Sequence, residues 1–331
     1  MNRTRTKNRF PSRVTLLLVV ILTLLTASEG RVFGQNLRPV VFSLSSPKEI
    51  SAAPLLFAKY LGYFKDEGVD AKLVVMSSDI VMKGLLTGDV DFASSVSSVV
   101  KAAAVGVPVK SVINYFDGSF FYLVSKPEFT RIEQLRNKVI AISRYGSATD
   151  LDARGTFRHF GIDPNKDITI LAVGGGTARI AGLISGRFDA TILNVLERIA
   201  AEKAGMRALL LTGQYVKQPV GGLGASVHQL NERRDILRRS LKATYRTFAV
   251  MRSDRAKTKA FLTDTLDVKP EHADSIYEDM MKVFLPSGKI DLKDLAETYA
   301  DARKSTTKAA PVPLSAVVDY SLLDEVQASL K

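Results

Sequence analysis

Apolar and polar positions alternate in short blocks along residues 37–225, and these blocks predict strands and helices in turn. Helical spacing of apolar residues predicts helices at 54–64, 81–86, 96–105, 149–160, 178–185 and 196–204. Apolar, often β-branched runs predict strands at 40–44, 72–76, 90–93, 109–113, 120–125, 139–143, 168–173, 190–193 and 208–211. Strands separated by helices are typical of a parallel sheet covered on both faces, so we expect an α/β fold. Residues 229–305 are nearly all helical in pattern, and 322–330 predicts a short amphipathic helix.

Part of this pattern occurs twice. Residues 84–93 (GLLTGDVDFA) resemble residues 182–191 (GLISGRFDAT). In each segment a helix ends at a glycine, and a strand opens shortly after the turn that holds an aspartate. The spacing predicts two lobes built on one βαβ plan. Chance similarity is the alternative, because G-x-D turns are common.

The N-terminal segment has a different pattern from the rest of the chain. Five basic residues precede an apolar run at 14–27, and small residues follow at Ser28, Gly30 and Gly34. This order is typical of a secretory signal peptide, which we assign to residues 1–34, with cleavage after Gly30 or Gly34. The run is shorter than the roughly 20 residues that span a bilayer, although an uncleaved anchor remains the alternative. We therefore expect a periplasmic protein.

The amino-acid composition excludes several kinds of metal and catalytic site. The 331 residues contain no cysteine and three histidines, which excludes disulfides, thiolate metal sites, iron–sulfur clusters and a cysteine nucleophile. The formal net charge is +12, but the basic residues are mixed with acids and no nucleic-acid-binding motif is present. We expect no metal, no cofactor and no nucleic acid, and a protein that binds rather than catalyses.

Candidate binding residues follow the predicted strands, because ligands of open α/β sheets bind beyond the carboxyl ends of the strands. They share neutral hydrogen-bonding groups or exposed backbone at helix N-termini, which suits an anion or a polar heterocycle. The candidates are Ser45, Ser46, Ser94, Ser95, Asn114, Tyr115, Gly146, Ser147, Thr149, Gly175, Thr177 and Asn194. For Ser147 and Thr149 the alternative is a helix cap. Arg144 and Arg179 would supply a charged contact or else lie on the surface.

Six segments together resemble extracytoplasmic solute-binding proteins of ABC importers, in the group that includes sulfonate, nitrate and thiamine-precursor binders. The segments are PLLFAKYLGYFKDEGV (54–69), GLLTGDVDFA (84–93), IEQLRNKVIA (132–141), GSAT (146–149), FGIDPNKD (160–167) and LISGRFDA (183–190). Asn137 stands where the family usually has glycine, and asparagine also tolerates the left-handed conformation of such a turn.

The resemblance implies a two-lobed periplasmic-binding-protein (type II) fold, with two βαβ-built lobes joined by two crossover strands. Lobe I would comprise 36–125 plus 228–331, and lobe II would comprise 126–227. The crossovers would lie near 124–126 and 224–227, with Gly221, Gly222 and Gly224 suited to a hinge. The family pattern has proline after the strand that ends at Asn194, where this chain has Val-Leu-Glu.

The resemblance also implies a function. The protein would bind a small, anionic or polar heterocyclic organic solute between the lobes and deliver it, as a monomer, to an ABC permease and ATPase. An enzyme on the same fold, resembling thiamine-pyrimidine synthases, is one alternative. It is disfavoured by the lack of cysteine and of a histidine after any lobe strand. The ligand-binding subunit of a periplasmic sensor is another alternative.

Overall fold

Two mixed five-stranded sheets organise the computed structural model, which describes residues 37–304 and 312–330. The strands are β1 (Arg38–Leu44), β2 (Val69–Val75), β3 (Phe92–Ala93), β4 (Val109–Gly118), β5 (Phe121–Ser125), β6 (Val139–Ile142), β7 (Thr169–Ala172), β8 (Ala190–Asn194), β9 (Arg207–Leu211) and β10 (Lys217–Ser226). The expected signal peptide, residues 1–34, lies outside the described residues.

The helices mostly connect the strands or follow the last one. They are α1 (Ala53–Tyr60), α2 (Tyr63–Asp66), α3 (Ser78–Thr87), α4 (Val96–Ala104), α5 (Ala148–His159), α6 (Gly176–Ile184), α7 (Val195–Lys203), α8 (Val227–Glu232), α9 (Arg234–Ser253), α10 (Arg255–Leu266), α11 (Pro270–Val283), α12 (Leu292–Lys304) and α13 (Ser321–Ser329). In the described parts of the chain, none of them has the length and apolar character needed to cross a membrane.

Local sequence signals explain several of these boundaries. Pro54 lies at the start of α1, where its missing N–H costs nothing. Gly62 has a φ of 77° and separates α1 from α2 within the single helix expected at 54–64. Asn137 has a φ of 59°, so the left-handed turn survives without glycine.

The two sheets share one strand order. The first runs β2-β1-β3-β10-β4 and the second runs β7-β6-β8-β5-β9. In each sheet the fourth strand is antiparallel to its neighbours, whereas the first three strands are parallel. The α/β class is confirmed, although each sheet is mixed rather than wholly parallel.

The repeated sequence segments occupy equivalent places in the two sheets. The Asp91 carboxylate accepts the Val41 amide of β1 at 2.8 Å, and the Asp189 carboxylate accepts the Val139 amide of β6 at 3.0 Å. Each carboxylate also pairs with a cation, Arg233 for Asp91 and Lys126 for Asp189. The internal similarity therefore reflects the same construction used twice.

The chain passes between the sheets at residues 119–120 and again at 212–216. These crossovers differ from the positions expected near 124–126 and 224–227. Strand β5 belongs to the second sheet rather than to lobe I, and β10 belongs to the first sheet rather than to lobe II. The difference arises because β10, a glycine-rich segment interpreted from sequence as a hinge, is a ten-residue strand paired with β4.

Candidate ligand-binding cleft

A cavity of about 490 Å³ opens where loops from both sheets meet. Its size lies in the range typical of sites for small organic molecules. The walls come from the loop after β1, the β3–α4 turn, the first crossover, the start of α5, the β8–α7 junction and the start of β10. The lining residues are Ser45, Lys48, Glu49, Ile50, Ser51, Ser94, Ser95, Val96, Ser97, Ser119, Phe120, Phe121, Ala148, Asn194, Val195, Leu196, Gln218, Pro219, Val220 and Gly221. We call this cavity the cleft.

Four of the residues selected from sequence lie on the cleft wall. Ser45, Ser94 and Ser95 follow β1 and β3, and Asn194 ends β8. The Asn194 side-chain oxygen accepts the Glu197 amide at 2.9 Å, and the Glu197 carboxylate accepts the Asn194 amide at 3.0 Å. This reciprocal cap holds Asn194 at the cleft, on the second-sheet side.

Other candidates do not line the cleft. Asn114 and Tyr115 are fully buried, because β4 continues to Gly118 instead of ending at Ile113 and so carries both residues in mid-strand. The Asn114 side-chain oxygen accepts the hydroxyls of Ser111 and Tyr320, which is a structural role in the core.

Three further sequence candidates lie away from the cleft, in two different elements. Ser46 is an exposed residue of the loop after β1 that does not reach the cavity. Gly175 is the N-cap of α6, and Thr177 is exposed in its first turn. All three residues do follow strands, as the sequence predicts, but their loops place them outside the lining of the cleft.

The turn before α5 lies beside the cleft rather than in it. Gly146 lines a second cavity of about 130 Å³, which shares Ser97, Ala148 and Gln218 with the cleft. The hydroxyls of Ser147 and Thr149 each lie 2.9 Å from that of Ser143, and Ser147 accepts the Asp150 amide as the helix cap. The capping interpretation therefore describes Ser147, whereas the Thr149 hydroxyl accepts the Ser143 amide at 2.9 Å and ties the end of the β6 segment to the helix.

Sequence reasoning missed most of the polar wall. Glu49, Ser51 and Ser97 stand in or beside segments that were considered, whereas Ser119 and Gln218 belong to the misplaced crossover and to the missed strand. The apolar side chains of the wall were also missed, and they are Ile50, Val96, Phe120, Phe121, Val195, Leu196, Pro219 and Val220. A correct crossover position would have pointed to Ser119 and Phe120.

Charged groups are few at the cleft. Burial raises the pKa of Glu49, whose carboxylate accepts the Ser94 hydroxyl at 3.2 Å. Lys48 forms an ion pair with Asp267. Arg179, which was expected to bind a ligand or lie on the surface, is buried and bonds the Gly174 carbonyl and Glu197. Among the described residues, no cluster of His, Asp or Glu has the arrangement of a metal site.

The model of the NMT1/THI5-like family matches residues 49–257, which is more than half of the chain. The chain belongs to the NMT1/THI5-like family. The match covers both crossovers and most of the cleft wall, so the site described above is built within the family's shared region. No curated protein matches the chain significantly in sequence.

Solved structures show the fold of this NMT1/THI5-like chain. The putative periplasmic sulfonate-binding protein SsuA of Methylobacillus flagellatus KT is 16% identical with a TM-score of 0.72, covering 89% of this chain and 95% of that one. SsuA of Escherichia coli is 15% identical with a TM-score of 0.62, covering 85% and 91%. The nitrate-binding protein NrtA of Synechocystis PCC 6803 is 14% identical with a TM-score of 0.57, covering 88% of each chain. The expected periplasmic-binding-protein fold is confirmed.

A buried carboxylate joins the two crossovers next to the cleft of this family member. Asp152 of α5 is fully buried and accepts the hydroxyls of Ser119, in the first crossover, at 2.7 Å and Thr212, in the second, at 2.9 Å. The Gln218 amide lies 3.4 Å from its other oxygen. Burial raises the pKa of Asp152 to about 6, although these hydrogen bonds oppose the shift. The group that holds the crossovers together therefore titrates near neutral pH.

We expect this carboxyl to make stability depend on pH. Because the folded-state pKa is above the ordinary value of 3.8, the folded protein binds more protons than the unfolded chain between about pH 4 and pH 6. The contribution is full below pH 4 and is lost as the pH rises through 6. From pH 7.5 to pH 5.0 the wild type should gain about 1.4 kcal/mol relative to Asp152→Asn. Urea unfolding of both proteins at the two pH values measures this change, and a pH-independent difference would contradict it.

Proposed function

We propose that this protein is an extracytoplasmic solute-binding protein that holds a small organic solute in the cleft and delivers it to an ABC permease and its ATPase. The observation that carries the proposal is the cleft itself, which is lined from both sheets by hydroxyl and amide groups beside apolar side chains. Such a mixed lining can orient a polar group while it buries a hydrocarbon or ring part of the same molecule. The periplasmic location that we expect from the N-terminal pattern agrees with this role.

The volume of the cleft supports an organic solute over a small inorganic anion. A cavity of about 490 Å³ is much larger than one small ion needs. Phe120, Phe121 and Leu196 add apolar surface that such an ion would leave without a partner. We therefore propose that the ligand carries a hydrocarbon or ring portion in contact with these side chains.

We propose that the two sheets form two lobes that close on the ligand about the crossovers. Ser45, Ser94 and Ser95 lie on the first-sheet side of the cleft, while Ala148 and Asn194 lie on the second-sheet side. A ligand that contacts both sides binds the closed arrangement more tightly than an open one, and this difference in affinity drives closure. The closed state would be the one that the permease recognises.

We propose binding without turnover. The titratable side chains among the lining residues are Lys48 and Glu49, and neither histidine nor cysteine is among them. Nucleophilic catalysis needs a nucleophile in contact with a base, and the lining shows no such pair, because Lys48 is paired with Asp267 and Glu49 is bonded by Ser94. Mass spectrometry of ligand recovered from the purified protein should return it unchanged, and a consumed ligand would favour the enzyme alternative.

Ligand-dependent melting tests the proposed function. The panel comprises sulfonates, nitrate, taurine, pyrimidines, aromatic carboxylates and amino acids. A ligand present at 100 times its dissociation constant should raise the free energy of unfolding by about 2.7 kcal/mol. A panel in which no compound shifts the melting curve would contradict the proposal.

A further inference from the structure

The cleft wall carries one carboxyl group, that of Glu49, at the end of the loop after β1. The residue is half-buried, and its Oε1 atom accepts the Ser94 hydroxyl at 3.2 Å. Glu49 stands at the N-cap of the short 3-10 helix Ile50–Ala52, yet its side chain makes no capping hydrogen bond there. The groups that hydrogen-bond the carboxyl group at the cavity are neutral: the hydroxyls of Ser94 and Ser45 and the backbone of Ser45 and Ser46.

The lining of the cleft gives Glu49 no cationic partner. Lys48 is the one basic residue among the lining residues, and its ammonium group pairs with Asp267, whose side chain is 68% exposed. The other polar lining groups are the hydroxyls of serines and the amides of Asn194 and Gln218, which are neutral. The buried Tyr115 lies close enough to Glu49 for the two to interact electrostatically, and it carries no positive charge. A negative charge on Glu49 is thus hydrogen-bonded by neutral groups and has no positively charged partner among the lining residues.

This arrangement favours one class of ligand charge over another. A carboxylate removed from water without a cationic partner is unfavourable, which is why burial raises its pKa. A ligand with an ammonium or N–H group would supply the missing partner through a charge-assisted hydrogen bond. A ligand whose sole charged group is an anion would add a second negative charge beside the first.

We propose that Glu49 is the specificity-determining residue of the cleft and selects solutes that bear an amine or an N–H group. The cleft then discriminates against solutes whose sole charged group is anionic. This inference rests on the proposed function, because it names the chemical class of the solute that the same cleft would hold. An accompanying anionic group on the ligand is compatible with it, since serine hydroxyls and the Asn194 and Gln218 amides of the same cavity can donate hydrogen bonds to that group.

Isothermal titration calorimetry with matched pairs of compounds tests the inference. One pair is 3-aminopropanesulfonate and propanesulfonate, and the other is benzylamine and benzyl alcohol. In each pair the amine should bind the wild-type protein at least tenfold more tightly. Glu49→Gln should weaken binding of the amine at least tenfold and change binding of its partner less than threefold, while Glu49→Asp should keep the preference for the amine.

The control and the outcomes separate this inference from the proposed function. Glu133→Gln, which changes an exposed acid outside the cleft, should leave every affinity unchanged. Binding of propanesulfonate as tightly as its amine partner, with no effect of Glu49→Gln, would overturn the inference and leave the proposed function standing. Failure of all four compounds to bind the wild type would count against both, because an amine-accepting cleft of this size should take at least one amine.

Discussion

Ser97→Trp should abolish the ligand-dependent rise in melting temperature and leave the unliganded protein folded. Ser97 lies in the first turn of α4, half-buried, on the wall that separates the cleft from the smaller neighbouring cavity. A tryptophan side chain brings 150–250 Å² of surface, roughly what a small organic ligand would contribute. The indole should therefore occupy the space of the ligand and remove the whole expected stabilisation, about 2.7 kcal/mol at 100 times the dissociation constant.

Thr177→Trp is the matched control for this substitution. Thr177 also lies in the first turn of a helix that follows a strand, but it is exposed and does not line the cleft. Its replacement should leave the ligand-dependent shift intact. Differential scanning fluorimetry of both variants with any compound that stabilises the wild type decides the matter. If Ser97→Trp bound the ligand with an affinity within threefold of the wild type, the ligand would have to bind outside the cleft.

The strands after which ligands bind could be predicted from sequence, whereas strand β10 and the sheet to which β5 belongs could not. Hydrophobic periodicity placed β1, β3 and β8 closely enough to bring Ser45, Ser94 and Asn194 to the cleft. Periodicity records burial, and most residues of these strands are buried or half-buried. The site residues that directly follow these strands could therefore be predicted from sequence.

Strand β10 was beyond this reasoning because its glycines are fixed by tertiary contacts. A Cβ atom at Gly221 would overlap the Ser51 carbonyl, one at Gly222 would overlap the Ile113 carbonyl, and one at Gly224 would overlap Val99. Each glycine thus permits close approach in a strand that local propensity disfavours. The sequence shows the glycines but not the neighbours that require them, so a hinge was the natural interpretation.

Glu49 illustrates a different limit, because the sequence places residues 45–51 in a loop facing the cleft without singling out this carboxyl group. In sequence, Ser46-Pro47-Lys48-Glu49 has the form of a capping box, and in such a motif the acid serves the backbone. In the structure the carboxyl group accepts from the Ser46 backbone as such a motif would have it, and it also lies on the wall of the cleft, where the Ser94 hydroxyl donates to it. Whether the Glu49 carboxyl group also reaches the cleft depends on the path of the loop. That path is set by tertiary packing, which hydrophobic periodicity does not record.

The close contact between the two crossovers predicts a second large effect. A Cβ atom at Gly118, the last residue of β4, would overlap the carbonyl group of Gly213 in the second crossover. A Cβ atom at Gly213 would in turn overlap the backbone of Ser119. Backbone atoms cannot move aside as the end of a flexible side chain can, so the crossovers would have to separate. Gly118→Ala should therefore lower the free energy of unfolding by about 3 kcal/mol.

Gly175→Ala separates this steric cost from any general effect of replacing glycine. Gly175 has a φ of −61°, which alanine adopts freely, and no atom lies within 4 Å of the position that its Cβ would take. Its replacement should cost no more than about 1 kcal/mol, the penalty of alanine at a helix N-cap. Urea unfolding at one pH compares the two variants with the wild type. Equal unfolding midpoints for all three proteins would mean that the two crossovers are not in contact at Gly118. The crossovers would then lie farther apart than the hydrogen bonds of Asp152 to Ser119 and Thr212 allow.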